Sequence, residues 1–303
     1  MPNDTITLRP ASGALGAIVD GFDLRRALRP DDVHQVHQLL MDHLVLFFRG
    51  QDLDDDEHLQ FALNFGDYYT HPIARAGNHP PRVGHIVDDA DHPPFQDQYH
   101  TDVSWDAQPP TFGILRMIDR PNSGGDTIFS NMYVAYDALS ETMKQCIDGL
   151  TAWHDMGEGK AFRSKSGDSA TDKAAELQPG AEHPVVDVHP VTRRRFLYVN
   201  RAFTRRICGL HKNESDALLQ CLVEHATSPN FQVRWNWTAG DVVLWDERCT
   251  QHFAVADFFL NTFRCLLFFI SFFYFPTFIY RLLYNHGFIW PFKPETSCIF
   301  LKR

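Results

Sequence analysis

Two histidines and one aspartate, His100, Asp102 and, 152 positions after the first, His252, are the residues of this chain whose types could do chemistry together. Two imidazoles and a carboxylate can occupy one face of an octahedral divalent ion and leave three positions open, the donor set that non-haem iron(II) uses with oxygen. In Gln98-Tyr99-His100-Thr101-Asp102-Val103-Ser104-Trp105 the first two ligands lie two residues apart. Strand side chains repeat with period two, so the spacing predicts that both point at one metal. A short apolar strand, Asp241 to Asp246, leads towards Gln251-His252-Phe253-Ala254-Val255, which would bring the third ligand back. The tripeptide alone is weakly diagnostic, because a chain with 16 histidines and 38 acidic residues contains it readily by chance.

The elements that must position these residues read as a mixture of α and β. Asp31 to His43 places Val33, Val36, Leu39 and Leu40 at helical spacing, and Pro30 with two aspartates suits a helix start. Leu44 to Phe48 reads as a buried strand and Asp54 to Phe65 as a second helix ending at Gly66. Tyr133 to Gly149 predicts a third helix and Asn213 to Thr227 a fourth, with β-rich runs at Phe112 to Met117, Arg195 to Asn200 and Phe231 to Trp237. Lys160 to Glu182 lacks apolar periodicity and reads as a surface loop. His34, His37, His58, His154 and His225 have no motif context and are expected to face solvent or to be satisfied structurally.

At 303 residues the chain is long for one domain, yet it lies within reach of a single large β-rich unit. The net charge of −10, with no basic tract interleaved with aromatics, argues against nucleic acid as a partner. Six cysteines without Cys-x-x-Cys spacing, and a start without a charged segment followed by an apolar run, predict a cytoplasmic protein in a reducing compartment. A homo-oligomer is compatible with this composition.

Ordered blocks around the triad carry a resemblance. They include Leu15-Gly16-Ala17, Gly21-Phe22-Asp23-Leu24, Leu46 to Gln51, Phe65-Gly66-Asp67, His71-Pro72, Tyr99 to Trp105 and Ser123-Gly124-Gly125-Asp126-Thr127. They continue through His183-Pro184-Val185-Val186, His189-Pro190, Tyr198-Val199-Asn200, Gln232 to Trp235 and Trp245-Asp246-Glu247-Arg248 to Asp257. Over about residues 5 to 257 the chain resembles the taurine dioxygenase family of Fe(II)/2-oxoglutarate-dependent dioxygenases. The resemblance implies an α+β fold with a double-stranded β-helix (jelly-roll) core and flanking helices. It implies Fe(II) on His100, Asp102 and His252, with 2-oxoglutarate, O2 and a small anionic, taurine- or alkylsulfonate-like substrate as partners. It implies hydroxylation with release of succinate and CO2, and no catalytic side chain beyond the metal ligands. By the same resemblance Thr127 helps to hold the distal carboxylate of 2-oxoglutarate, His71 and Phe203 line the substrate pocket, and Trp245 packs beside the iron.

The pattern fails after Asp257, so the sequence divides into a dioxygenase-like domain, 1–257, lacking its usual final strand, and a divergent Phe-rich tail, 258–303. Twelve of the 25 phenylalanines lie in that tail, with five Lys/Arg against one acidic residue. Family members carry there an arginine for the distal carboxylate and commonly a second for the substrate anion. Arg264 is the nearest candidate, one position later than the first; Leu267 stands at the second. A one-residue slip on a strand reverses the face, so without a bulge Arg264 would miss the co-substrate. The resemblance therefore implies either a working dioxygenase or a catalytically impaired isoform or paralogue with an intact metal site and weakened 2-oxoglutarate binding. For the tail itself three readings stand: a replacement strand, an altered C-terminus from splicing or read-through, or a membrane anchor. The last is disfavoured because the uncharged run Cys265 to Tyr280 has 16 residues and contains Pro276, whereas about 20 residues are needed to span a bilayer.

Overall fold

The computed structural model describes residues 6–68, 84–88, 98–156, 180–258 and 264–272. Most of the 160–182 loop and His71 lie outside these residues. One compact unit runs Met1–Phe273, and a second, Tyr274–Arg303, lies outside the described residues.

The chain opens with β1 (Thr7–Pro10) and β2 (Ala17–Asp20), followed by α1 (Pro30–His43), β3 (Val45–Phe48) and α2 (Asp55–Ala62). After β4 (Asp67–Tyr68), β5 (Gly84–Asp88), β6 (Phe112–Asp119) and β7 (Thr127–Asn131) come α3 (Met132–Asp137) and α4 (Glu141–Ile147). Next are β8 (Thr151–His154), β9 (Ala181–Pro184), β10 (Val186–Val188), β11 (Arg195–Leu197), β12 (Thr204–Ile207) and α5 (Lys212–Ala226). The described part closes with β13 (Gln232–Trp235), β14 (Val242–Asp246), β15 (Thr250–Ala254) and β16 (Arg264–Phe272).

Capping explains where the helices begin. The Asp54 carboxylate accepts from the Glu57 N–H and the Glu57 carboxylate from the Asp54 N–H, a reciprocal pair that fixes the start of α2. The single helix expected over Tyr133 to Gly149 is two. Asn131 caps α3 and Ser140 Oγ caps α4 at the Met143 N–H, so the serine that looked like helix interior starts a new helix.

A large sheet runs in the order β1-β2-β3-β14-β6-β16-β4, with β5 also paired to β16. β3 and residues Val242–Trp245 of β14 are apolar at every position because both faces are covered. On one face Leu46, Phe48, Phe112, Ile114, Val242 and Leu244 pack against Val36 and Leu40 of α1 and Phe61 and Ala62 of α2. On the other, Phe47 stacks on Trp235 with ring centroids 4.0 Å apart and meets Phe129 at 6.0 Å, joining the large sheet to the three-stranded sheet β13-β7-β15. Burying such side chains is worth about 1.5–3 kcal/mol each. Smaller sheets, β12-β8-β9 and β10-β11, complete the mixed α+β fold.

The sequence places the end of the domain at 257 without a final strand. In the structure β16 pairs antiparallel with β6 and β5, and the compact unit extends to Phe273. The β16–β6 register shifts between Cys265, opposite Asp119, and Leu266, opposite Met117, so Ile118 is the extra residue of a bulge on β6. Among the described residues no helix is long and apolar enough to cross a membrane.

Candidate metal centre

His252 lies mid-strand in β15, where it is opposite Phe129 of β7. On its other side it forms an isolated antiparallel bridge with His100, closed by backbone hydrogen bonds of 2.8 and 3.0 Å. Backbone pairing thus sets the two imidazoles side by side, ring centroids 4.1 Å apart. Asp102 completes the group, Oδ1 3.4 Å from His100 Nε2 and Oδ2 3.7 Å from His252 Nε2. Neighbouring ligands on an octahedral ion with bonds near 2.1 Å stand about 3 Å apart, so a small contraction would seat a metal. The Asp102 Oδ2 atom is buried without a hydrogen-bond partner, as expected of a ligand atom.

The route to Asp102 differs from the strand alternation expected. Residues 102–105 form a turn rather than a strand, with Val103 at φ 54°, a left-handed conformation costly for a β-branched residue. Long-range partners hold it. Thr101 Oγ1 donates to the Thr250 carbonyl at 2.9 Å, and the Asp102 N–H donates to Glu247 Oε2 at 3.1 Å. Ser104 Oγ meets Asn200 Nδ2 at 2.9 Å and His154 Nδ1 at 3.1 Å. The orientation of His100 is fixed locally. Its Nδ1 lies 2.8 Å from the Gln98 carbonyl, which can only accept, so Nδ1 carries the proton and the Nε2 lone pair faces the metal position.

Electrostatics fit a cation site. Burial pushes the Asp102 carboxyl up, but His252 and His100 more than offset this and hold it below the usual carboxylate range. Burial, then His100, pushes His252 down to about 3, so its imidazole is neutral and able to ligate. Glu247, fully buried, is pushed well up by burial and by Asp102, and it also accepts from Trp245 Nε1 at 2.6 Å. The centre is walled by aromatics: the Trp245 ring lies 5.2 Å from His252 and the Phe203 ring 6.1 Å from His100.

Thr127, at the start of β7, stands opposite Ala254, two positions from the Phe129–His252 pair and on the same face. Its hydroxyl accepts from Trp237 Nε1 at 2.9 Å. Arg264 is the first residue of β16, in register with Asp88. His71 lies outside the described residues. Glu247 was visible only as part of a block, and Trp237 had no signal in spacing or motif.

A second group of potential ligands, His189, Asp246 and Cys249, is fully buried. His189 Nδ1 accepts from the Val191 and Thr192 N–H groups, so Nε2 carries the proton and donates to Asp246 Oδ2 at 3.1 Å. Arg248 Nε donates to Asp246 Oδ1 at 2.8 Å and already supplies the counter-charge. This is a satisfied structural network. Among the expected bystander histidines, His225 is satisfied by the Ala135 carbonyl at 2.8 Å, whereas His58 is buried with neither ring nitrogen hydrogen-bonded.

A mixed α+β scaffold with two histidines and one aspartate converging on a half-buried point defines a mononuclear metal enzyme of the facial-triad type. The family described as Taurine catabolism dioxygenase TauD, TfdA matches residues 7–265, and the chain belongs to it. It is 36% identical over 263 residues to an alkylsulfatase of Acinetobacter baylyi, covering 85% of this chain and 82% of that protein. It is 33% identical over 265 residues to an alpha-ketoglutarate-dependent sulfate ester dioxygenase of Pseudomonas putida, covering 84% and 85%. The crystal structure of a taurine dioxygenase from Burkholderia xenovorans superposes with a TM-score of 0.75 at 36% identity, covering 88% of this chain and 89% of that one.

Proposed function

We propose that this chain is an Fe(II)- and 2-oxoglutarate-dependent dioxygenase that hydroxylates a small organic anion of the alkylsulfonate or sulfate-ester kind. The observation that carries the reading is the convergence of His100, Asp102 and His252, with Asp102 Oδ2 buried and unpartnered. We read the large sheet and the sheet β13-β7-β15 that packs on it as the two halves of a double-stranded β-helix.

In this reading His100 Nε2, His252 Nε2 and an Asp102 oxygen hold the metal on one face. Iron(II), when bound, supplies the oxygen chemistry that couples decarboxylation of 2-oxoglutarate to succinate and CO2 with insertion of one oxygen atom into a substrate C–H bond. The protein's own work is placement and exclusion. Phe203 and Trp245 keep water from the reacting face. Thr127 donates to the distal carboxylate of 2-oxoglutarate; its pair lies two strand steps from that of His252, about 7 Å, a span suited to a five-carbon diacid. Position 264 supplies the cation for the same carboxylate. Supporting this, position 264 opens β16, a strand that joins the large sheet by pairing with β6 and β5. His71 is proposed to meet the substrate anion. Hydroxylation at a carbon bearing sulfate or sulfonate gives an adduct that collapses to a carbonyl with loss of sulfate or sulfite, and the similarity to a sulfate ester dioxygenase supports this class of substrate. A reducing, cytoplasmic location is in keeping with the free Cys146, Cys208, Cys221 and Cys249.

The test is succinate formation from 2-oxoglutarate by iron-loaded protein with a panel of alkyl sulfates, alkylsulfonates and aryloxyacetates. Succinate that requires iron, O2 and one class of anion supports the reading. Tight iron and 2-oxoglutarate binding without turnover of any anion would overturn the substrate class, and iron binding with 2-oxoglutarate weakened into the millimolar range would instead favour the impaired-isoform reading.

A further inference from the structure

We infer that Trp237 is a positioning residue for the co-substrate, turning the Thr127 hydroxyl proton away from the indole so that it is left free to donate. The inference rests on the proposed role of Thr127 and goes beyond it.

Trp237 is 2% exposed and Thr127 5%, and the indole Nε1 stands 2.9 Å from the threonine oxygen. An indole N–H only donates, whereas a hydroxyl has one proton and two acceptor lone pairs. The tryptophan therefore occupies a lone pair of Thr127 and turns the hydroxyl proton away from itself. Among the described residues no acceptor takes that proton, so the site holds a buried donor whose partner must come from elsewhere. An unspent buried donor is costly, which gives an arriving acceptor an advantage that a freely rotating hydroxyl would not offer. A carboxylate accepts and cannot donate. Thr127 also shares the face of β7 that carries Phe129, the residue opposite His252, so the oriented donor lies on the metal side of the sheet. The geometry thus offers a free donor at this position, which suits an acceptor such as a carboxylate oxygen.

The experiment is calorimetric titration of 2-oxoglutarate into Mn(II)-loaded protein, for the wild type, Thr127→Val, Trp237→Phe and the double variant, with Mn(II) affinity measured alongside. Thr127→Val is expected to weaken 2-oxoglutarate about tenfold, and Trp237→Phe roughly three- to tenfold, with Mn(II) affinity unchanged. The double variant should bind no worse than Thr127→Val, because the indole acts only through the hydroxyl. Unchanged binding in Thr127→Val would sink the underlying role of Thr127. Weakening in Thr127→Val but not in Trp237→Phe, or additive losses in the double variant, would overturn the positioning role alone. Should Trp237→Phe not fold, the indole ¹⁵N–H resonance that moves most in Thr127→Val identifies Trp237 in the wild type. That resonance must shift when 2-oxoglutarate binds, and an unmoved signal overturns the inference.

Discussion

Glu247 offers the most direct test of how the metal centre is held together. Its carboxyl is 0% exposed and accepts from two donors, the Asp102 N–H at 3.1 Å and Trp245 Nε1 at 2.6 Å. Glu247→Ala removes the acceptor of both donors in a dry interior at about 1–3 kcal/mol each, and it leaves a cavity the size of the four heavy atoms lost. Relief of the buried carboxyl beside Asp102 offsets part of this, so a net loss of about 2–5 kcal/mol is expected. Glu247→Gln is nearly isosteric. It keeps a carbonyl oxygen for one donor but turns an NH2, which cannot accept, towards the other, while that NH2 can donate to the Asp102 carboxylate, so its cost should be about 1–2 kcal/mol, below that of the alanine. Because the Asp102 N–H belongs to the turn that carries a ligand, Glu247→Ala should also weaken Mn(II) binding roughly 10- to 100-fold, as loss of a ligand's support typically does. Urea unfolding of the apoprotein and Mn(II) titration of each variant measure the two effects separately. Equal stabilities for the alanine and glutamine variants, or unchanged Mn(II) affinity in Glu247→Ala, would refute the claim that this side chain supports the turn.

Asp102→Ala removes the only anionic ligand and should abolish stoichiometric iron binding by the purified protein, measured by metal analysis after desalting. Arg264→Ala should weaken 2-oxoglutarate by roughly tenfold or more in the same calorimetric titration if position 264 supplies the cation, and unchanged affinity would show that it does not. Arg248→Ala leaves the buried Asp246 without its guanidinium and should cost about 3–5 kcal/mol in urea unfolding. Burial pushes the Asp246 carboxyl up, but Arg248 and His189 more than offset this and hold it below the usual range. The stability it contributes is therefore present above the unfolded value near 3.9 and is lost as pH falls towards the folded one, and the variant should unfold in acid at higher pH. His58, pushed down to about 3 by burial and next by Arg116, stays neutral in the folded protein while the unfolded imidazole takes up a proton near pH 6.5. Stability should fall as pH drops below about 6.5, and His58→Leu should raise stability at pH 7 by about 1–2 kcal/mol and flatten that slope in unfolding measured from pH 7 to 5.

What the sequence discloses about this molecule depends on how local the cause is. The central strands were readable because Leu44 to Phe48 and Val242 to Leu244 are apolar at every position, which a strand covered on both faces requires. The helix starts at Asp31 and Asp54 were readable because capping acts within one turn. Asp102 was identified correctly as a ligand candidate but for an inexact local reason. Its direction comes from a turn held by Glu247, Thr250 and Asn200, partners 145, 149 and, through Ser104, 96 residues distant in sequence. No period-two rule contains such information.

The tail shows the same principle from the other side. Composition and motif both broke after Asp257, yet β16 forms because β6 and β5 offer unpaired edges with matching register, and edge pairing depends on backbone groups that every residue type carries. A Phe-rich segment that breaks the family pattern can thus still add a strand to the sheet. What the pattern break changes is which side chains that strand presents. Replacing 258–303 by a strand carrying both family arginines therefore tests side-chain chemistry with the pairing kept. If 2-oxoglutarate binds such a chimaera at least tenfold more tightly, position 264 is an incomplete substitute for the pair; equal affinity would mean that the native strand already supplies the needed charge.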